Sequence, residues 1–371
     1  MKVLVTGANG FIAQNLKAHL SERKEIIVVS FTRNNDFTEL PALLCDVDFI
    51  FHLAGVNRPE DPKEFMMGNI DLTRALCNAI VAGGRTIPVI FTSSIQASQD
   101  NSYGMSKRAA EILLFDLQSS TGNPVHVFRL PNVFGKWCKP NYNSVVATFC
   151  YNLVHDLPVQ INDSATPLKL EYIDDVIDRF VQIMDGSERV VDEDGFEILH
   201  PQYKITLGDL AHQLKAFKDS RANLITERVG TGFVRALYST YVSYLPPNSF
   251  SYPVPLHGDA RGTFVEMLKT PDCGQFSYFS AHPGVTRGGH YHHSKTEKFL
   301  VIKGVARFRF RNMHTDEEFQ LVSNGLLPTV VETIPGWTHD VTNIGDEELV
   351  VMLWANEIFD RTHPDTYACP L

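Results

Sequence analysis

The sequence predicts an α/β domain on a parallel sheet covered on both faces, followed by a smaller all-β domain. Three observations carry this prediction. Over the first 130 residues, short apolar runs alternate with stretches of helical spacing. A segment rich in Pro, Ser and Asn, SYLPPNSFSYP, then reads as a linker or the lead-in to a new domain. Beyond it, short β-like runs recur between Gly, Pro, Asn and Asp turns.

In the first part, residues 2–6, 26–31, 48–53, 88–92 and 125–130 are predicted strands, each rich in Val, Ile, Leu and Phe. Near-continuous apolar strands need cover on both faces, which the helical patterns at 12–21 and 107–118 supply. Helical spacing recurs at 145–155, 176–184 and 207–218. In the second part the predicted strands are 264–268, 276–281, 298–302, 305–310, 319–322, 330–334 and 349–354, a spacing typical of an antiparallel barrel or sandwich. The expected domains are 1–244 and 245–371. A chain of 371 residues exceeds one ordinary core and fits two.

Composition narrows the function. Hydrophobic residues at 44% and charged residues at 20% describe a globular chain and exclude wholesale disorder. A net charge of −10 and a pI near 5.8 argue against a bulk nucleic-acid binder, while leaving room for a local basic phosphate pocket. No apolar run approaches the roughly 18 residues of a membrane span, so no membrane insertion is expected. The opening MKVLVTGANG has too short an apolar run for a signal peptide, so a cytoplasmic protein is expected. The six cysteines show no CxxC pairing and are expected as free thiols.

The first strand runs into Thr6-Gly7-Ala8-Asn9-Gly10-Phe11-Ile12-Ala13 and then a helical pattern. Glycines let the backbone approach a pyrophosphate, and the helix start offers free N–H groups, so Gly7, Asn9, Gly10, Phe11 and Ile12 are candidate dinucleotide contacts. The second strand ends Ser30-Phe31-Thr32-Arg33-Asn34, with no carboxylate before Asp36. An acidic residue there would hold a free ribose 2′-hydroxyl. Arg33 suits a 2′-phosphate, which favours NADP(H); a solvated loop charge is the other reading. Tyr103 and Lys107 are i and i+4 on a helix, so phenol and ammonium share a face. A neighbouring cation lowers a tyrosine's pKa and fits it for proton transfer. Ser93 and Ser94, at a strand end, are both candidates to hydrogen-bond a carbonyl oxygen.

Together TGANGFIA, HLAG at 52–55, FTSS at 91–94, YGMSK, RLPNVFG and YIDDV resemble the extended short-chain dehydrogenase/reductases that act on nucleotide sugars. The resemblance covers about residues 1–240 and implies a Rossmann-type doubly wound sheet. It also implies that Ser94, Tyr103 and Lys107 are the catalytic triad, that Tyr103 and Lys107 also contact the cofactor, Lys107 at the nicotinamide ribose, and that Leu53 and Ala54 border it. Hydride would pass from NADPH to a sugar carbonyl while Tyr103 protonates the alkoxide. Ala13 replaces the usual third glycine, and the stretch from Ser94 to Tyr103 is short for the family, which leaves Ser93 or Ser94 open. His52 is expected near the cofactor rather than as a base. Arg129, Lys136 and Lys139 fall where a nucleotide diphosphate rests, or in a solvated loop.

Eight of the 14 histidines follow residue 256. On a strand His290 and His292 face one way; Glu297 returns on the next strand and His339 follows later. Three imidazoles and a carboxylate suit a divalent transition metal, Zn²⁺ foremost. HxHx₄Ex₆G with PGxxHx₃N resembles the cupin signature, which implies a jelly roll with His290, His292, Glu297 and His339 as metal ligands. The 259–264 stretch DARGTF and the 287–291 stretch RGGHY also resemble sugar-nucleotide 4-keto-hexose epimerases. A 4-keto group acidifies the C3 proton, and His293, Tyr291 and Lys298 are open as its base. His290 cannot be both a base and a metal ligand. A purely structural metal is the competing reading.

A reductase followed by a metal cupin resembles the capsular-polysaccharide biosynthesis enzymes. That resemblance implies a homodimer on the route to UDP-N-acetyl-L-fucosamine. Its cupin would epimerise C3 of a UDP-4-keto-6-deoxy-HexNAc, and the reductase would reduce C4 to a 6-deoxy-L-talose product. Two rivals are a single-function 4-keto reductase with a dimerising cupin and a non-catalytic NADP-sensing module.

Overall fold

The computed structural model describes the chain apart from residues 60, 62, 260–261, 266, 269, 271–273 and 358–361. It falls into two compact units, Met1–Val133 with Lys169–Lys204, and Phe134–Leu168 with Ile205–Leu371.

The first unit is framed by β1 (Lys2–Thr6), β2 (Ile27–Phe31), β3 (Phe49–His52), β4 (Val89–Ser94) and β5 (Val125–Leu130). All pairings are parallel, in the order β2-β1-β3-β4-β5. Val3, Leu4, Val5, Ile50, Phe51, Val89, Ile90 and Val127 are fully buried, which is why these strands read as unbroken apolar runs. The helices α1 (Phe11–Ser21), α2 (Leu72–Gly83) and α3 (Ser102–Thr121) connect them. Because β2 and β3 lie on opposite sides of β1, the winding reverses there. Doubly wound sheets bind ligands in the crevice beyond the strand ends at such a reversal. Here those ends are Thr6-Gly7 and His52-Leu53-Ala54.

In the second unit two five-stranded sheets form the jelly roll. One orders Gln275–Ala281, Leu349–Ala355, Glu297–Lys303, Thr329–Glu332 and Ser251–Pro253; the other orders Glu318–Asn324, Val305–Asn312, Trp337–Asn343, Thr286–Tyr291 and Tyr367–Ala368. The pairings are antiparallel. The Pro-rich stretch is the lead-in rather than a free linker. Ser251–Pro253 joins the first sheet, and Phe250, fully buried, packs against Trp337, Phe310 and Phe319 with ring centroids 4.8, 5.3 and 5.7 Å away.

The strands Ser251–Pro253, Tyr367–Ala368, Thr286–Tyr291 and Trp337–Asn343 answer to no predicted apolar run. All seven residues of the last are buried although five are polar, His339 and Asp340 among them. Among the described residues Cys45, Cys77, Cys138, Cys150 and Cys369 are free thiols; Cys273 lies outside the described residues. Ala260 and Arg261 of the DARGTF stretch also lie outside them. No helix among the described residues is long and apolar enough to cross a membrane.

Candidate active sites

The Gly7–Gly10 turn is closed by Gly10 N–H donating to the Gly7 carbonyl at 2.7 Å. Gly7 has φ +65°, and a Cβ on it would stand 2.7 Å from Ala54 Cα. Glycine is therefore required both for the backbone angle and for the approach of the β1 turn to the β3 end. Gly10 caps α1 with extended backbone and no side-chain cap, so the first N–H groups at Phe11 and Ile12 carry no internal side-chain acceptor. Asn9 and Gly10 are exposed, and Phe11, Ile12, Leu53 and Ala54 are half-buried. A glycine cradle beside uncapped helix N–H groups, at the winding reversal, fits a dinucleotide pyrophosphate.

After β2, Asn35 Oδ1 accepts from Thr32 N and Oγ1, and Arg33 is exposed. Asp36 is the N-cap of the short turn Phe37–Glu39 and forms a reciprocal capping box with Glu39. The nearest carboxylate to the strand end is thus used in a local cap.

His52 is fully buried and its hydrogen bonds fix its tautomer. Thr73 Oγ1 donates to the Asn69 carbonyl at 2.6 Å, so it accepts from His52 Nε2–H at 2.8 Å; Nδ1 then accepts from Thr6 at 2.7 Å. Thr6 Oγ1 in turn accepts from Ala54 N–H at 3.2 Å. Burial, assisted by the Lys107 charge, holds the imidazole down at about 3. His52 is a neutral tie between β1, β3 and α2, in line with its expected non-catalytic place.

The two serines closing β4 have different partners. Ser93 Oγ donates to the Glu111 carboxylate, which also takes Arg129 Nε at 3.0 Å and Nη2 at 2.7 Å. Ser94 Oγ accepts from Gln96 N–H at 3.2 Å, so its own proton is not used in that bond. Arg129 also lies over the Phe196 ring at 3.8 Å. Its guanidinium is committed to Glu111, which corrects the expectation that it meets a diphosphate. Lys136 is fully buried rather than solvated, while Lys139 is exposed.

Tyr103 and Lys107 occupy the first two turns of α3, capped by Asn101 Oδ1 accepting from Gly104 N–H at 2.8 Å. Lys107 is buried and donates to the Thr92 carbonyl at 2.9 Å. Burial lowers its ammonium to about 8, opposed by the Glu111 charge. A Cβ on Gly55 would stand 2.8 Å from Lys107 Nζ, so the HLAG glycine leaves space for that ammonium. Asn69, which no sequence pattern singled out, bridges the Val56 backbone (Oδ1 from N–H at 2.8 Å, Nδ2 to O at 3.0 Å) and Ser106 Oγ at 2.8 Å. It braces the loop after β3 against the helix carrying Tyr103. Gly104 is equally constrained, since a Cβ there would stand 2.2 Å from the Gln96 carbonyl oxygen. Gly104→Ala is expected to lower stability by about 1–3 kcal/mol through forced displacement, read as a lower urea midpoint.

In the second unit His290, His292, Glu297 and His339 converge, with all four ligand atoms within 4.8 Å of one another. His292 Nε2 is 3.1 Å from Glu297 Oε2, and His339 Nε2 is 3.4 Å from the same oxygen. Among the described residues, both buried ring nitrogens of His339 have no hydrogen-bond partner, a costly arrangement for a group with nothing to ligate. Burial, reinforced by the neighbouring imidazoles, holds His290 down at about 3, and burial lowers His339 as well. Burial pushes the Glu297 carboxyl up, but the facing His292 and His339 hold it well below the ordinary range. Burial that disfavours the charged form of His290 and His339, beside an ionised Glu297, favours the protonation states metal ligation needs, so the cluster fits a divalent ion.

Lys298 points to the opposite face of its strand from Glu297. It is fully buried, with Nζ 2.5 Å from Glu332 Oε1 and 3.3 Å from Tyr252 Oη. Although burial alone lowers it, Glu332 holds it well above the ordinary lysine range. Lys298 is therefore removed as a base. Tyr291 and His293 remain, both buried, with ring centroids 5.4 Å apart.

Residues 3–198 match the NAD dependent epimerase/dehydratase family, and residues 257–367 match the polysaccharide biosynthesis C-terminal domain. Over 369 residues the chain is 62% identical to a UDP-2-acetamido-2,6-beta-L-arabino-hexul-4-ose reductase of Pseudomonas aeruginosa, covering 100% of this chain and 98% of that one. The crystal structure of the capsular polysaccharide assembling protein CapF from Staphylococcus aureus is similar over 100% of both chains, with a TM-score of 0.69 and 41% identity. UDP-glucose 4-epimerase from Thermotoga maritima shares the fold over 59% of this chain and 82% of its own, with a TM-score of 0.52 and 22% identity.

Proposed function

The chain belongs to the NAD dependent epimerase/dehydratase family, and from that premise we propose that it is a bifunctional nucleotide-sugar enzyme of surface-polysaccharide precursor synthesis. In this reading the jelly roll epimerises C3 of UDP-2-acetamido-2,6-dideoxy-4-hexulose. The reductase then reduces C4 with NADPH to the UDP-6-deoxy-L-talose derivative, toward UDP-N-acetyl-L-fucosamine. One observation carries the reductase half. Lys107 is buried one helical turn from Tyr103, its ammonium fixed on the Thr92 carbonyl, while Ser94 closes the same strand. The relative 62% identical over the full chain, a UDP-sugar 4-keto reductase by name, supports the substrate class.

When bound, a dihydronicotinamide would supply the hydride for the C4 carbonyl carbon. Tyr103 gives its phenolic proton to the carbonyl oxygen as negative charge grows there, and Ser94 Oγ donates a hydrogen bond to the same oxygen. The Lys107 ammonium stabilises the phenolate left on Tyr103. Gly7, Asn9, Gly10, Phe11, Ile12, Leu53 and Ala54 would hold the dinucleotide and Arg33 the 2′-phosphate. NADP(H) is preferred because Asp36 is committed to its cap.

In the jelly roll, His290, His292, Glu297 and His339 would hold Zn²⁺ or another divalent ion. Such an ion supplies positive charge that stabilises an enolate oxygen. Tyr291 and His293 are the groups left to take and return the C3 proton. The functional division we adopt is 1–244 and 245–371, in a cytoplasmic homodimer.

One observation favours a second reading. Four protein ligands make a closed set, the usual form of a structural rather than a catalytic zinc site. The barrel would then only stabilise a single-function reductase. Incubating the full-length protein in D₂O with the UDP-4-keto-6-deoxy-HexNAc and no NADPH separates the two. Deuterium at C3 by NMR is expected. A ketone reduced on adding NADPH but never exchanged at C3 would leave only the reductase.

A further inference from the structure

The residues following 361 form a strap across the metal cluster, and one of them touches both the loop and a ligand. Asp365 Oδ1 accepts from His293 N–H at 2.8 Å. Its Oδ2 accepts from Ser294 N–H at 2.8 Å, Lys295 N–H at 2.7 Å and Ser294 Oγ at 3.0 Å. Its backbone carbonyl accepts from His292 Nδ1 at 2.5 Å. Arg235 Nη2 stands 3.8 Å from the same carboxylate and 2.8 Å from Glu357. Further on, Tyr367–Ala368 pairs with His290 and Tyr291, and Cys369 N–H donates to the Gly289 carbonyl at 2.7 Å.

Each contact acts on the cluster. Three N–H groups converging on one carboxylate fix the turn that carries the chain from His292 to Glu297. A carbonyl taking the Nδ1 proton sets the tautomer of His292, so its Nε2 lone pair faces Glu297. The pairing of Tyr367–Ala368 holds the strand that presents His290. Two ligands and the loop before a third are thus gripped by five consecutive residues.

We propose that Asp365 is a positioning residue of the metal centre, and that closure of the 365–369 strap and metal binding stabilise one another. This rests on the reading that the His290–His292–Glu297–His339 cluster holds a divalent ion. Coupling of this kind is reciprocal: a strap that tightens the ion is itself tightened by the ion.

The test uses the full-length protein. Affinity for Zn²⁺ is measured by competition with a chromophoric chelator, and ligand geometry by the visible absorption of the Co²⁺-substituted protein. Asp365→Ala is expected to weaken Zn²⁺ binding by about 10–100-fold and to change the Co²⁺ spectrum, the range for lost outer-shell partners. Asp365→Asn, of the same size but with only one acceptor oxygen, is expected to fall between. In the wild-type protein Zn²⁺ is expected to slow hydrogen exchange of the 365–369 amides. This arm decides the matter even if the alanine variant does not fold. A variant that loses stability yet keeps the wild-type Zn²⁺ affinity and Co²⁺ spectrum would overturn the positioning role, as would strap exchange indifferent to Zn²⁺. Wild-type protein that takes up neither ion would overturn the metal reading itself, a separate outcome.

Discussion

Tyr103→Phe is expected to lower NADPH-dependent reduction of the keto-sugar by about 10²–10⁴-fold, the usual contribution of a positioned general acid. NADPH binding should be nearly unchanged, because the ring and helix α3 stay in place. Lys107→Met should cost a similar factor in rate with a different signature. Burial has lowered the Lys107 ammonium to about 8, against 10.5 ordinarily. Native protein therefore loses that proton before unfolded protein does. Keeping the charge buried costs stability at neutral pH, and the cost is relieved as pH rises from about 8 to about 10.5. Removing the charge should leave the fold as stable or more stable while activity collapses, a combination that a merely structural lysine would not give. In the wild-type enzyme kcat/KM for reduction should fall as pH rises past about 8, where Lys107 loses its proton. A pH profile flat to 10, or a Tyr103→Phe enzyme within tenfold of wild type, would remove this pair from the chemistry.

The legible parts of the molecule are those where burial follows local pattern. Strands β1, β3, β4 and β5 are buried on both faces, so each is an apolar run, whereas the edge strand β2 is buried only at Phe31; Lys2–Thr6 and Val125–Leu130 keep their predicted bounds. The glycine turn and the Tyr103–Lys107 pair are legible because each sits within one turn of chain. The His290–His292–Glu297–His339 cluster is legible by spacing, yet the strands Thr286–Tyr291 and Trp337–Asn343 are not legible by hydropathy. In Trp337–Asn343 five of the seven buried positions are Thr, His, Asp and Asn; Thr338, Thr342 and Asn343 are satisfied by hydrogen bonds and Asp340 by the Arg309 ion pair rather than by apolar packing. Ser93 and Ser94 were indistinguishable in sequence. What separates them is Glu111, one helical turn beyond Lys107, which claims Ser93 and Arg129 together. Asp365 and Asn69 had no signal: each acts on backbone far away in sequence, and no local motif marks it.

Glu332→Ala is expected to destabilise the second unit by about 3–5 kcal/mol, the cost of stripping the partner from buried charges. Glu332 is fully buried and accepts from Lys298, Arg221 and Tyr238, the last at 2.8 Å. These residues tie helix Leu207–Asn223 and helix Gly232–Val242 to the strands Glu297–Lys303 and Thr329–Glu332. Without the carboxylate, two cations remain buried with one tyrosine hydroxyl between them. Replacing Lys298 as well, in Lys298→Met/Glu332→Met, should recover part of the loss, since an apolar pair leaves fewer charges uncompensated. All three tryptophans, Trp137, Trp337 and Trp354, lie in this unit, so their fluorescence in urea reports its unfolding selectively. The pH dependence has a fixed sign. Burial alone raises Glu332, but Lys298 and Arg221 bring it down to about 2, below the ordinary 4.5. The stabilisation is complete above about 4.5 and disappears as pH falls toward 2, because unfolded chains bind that proton first. Wild-type midpoints should drop steeply across that interval and the double variant's less so. A Glu332→Ala protein with an unshifted urea midpoint would mean the network contributes nothing net to holding helices and barrel together.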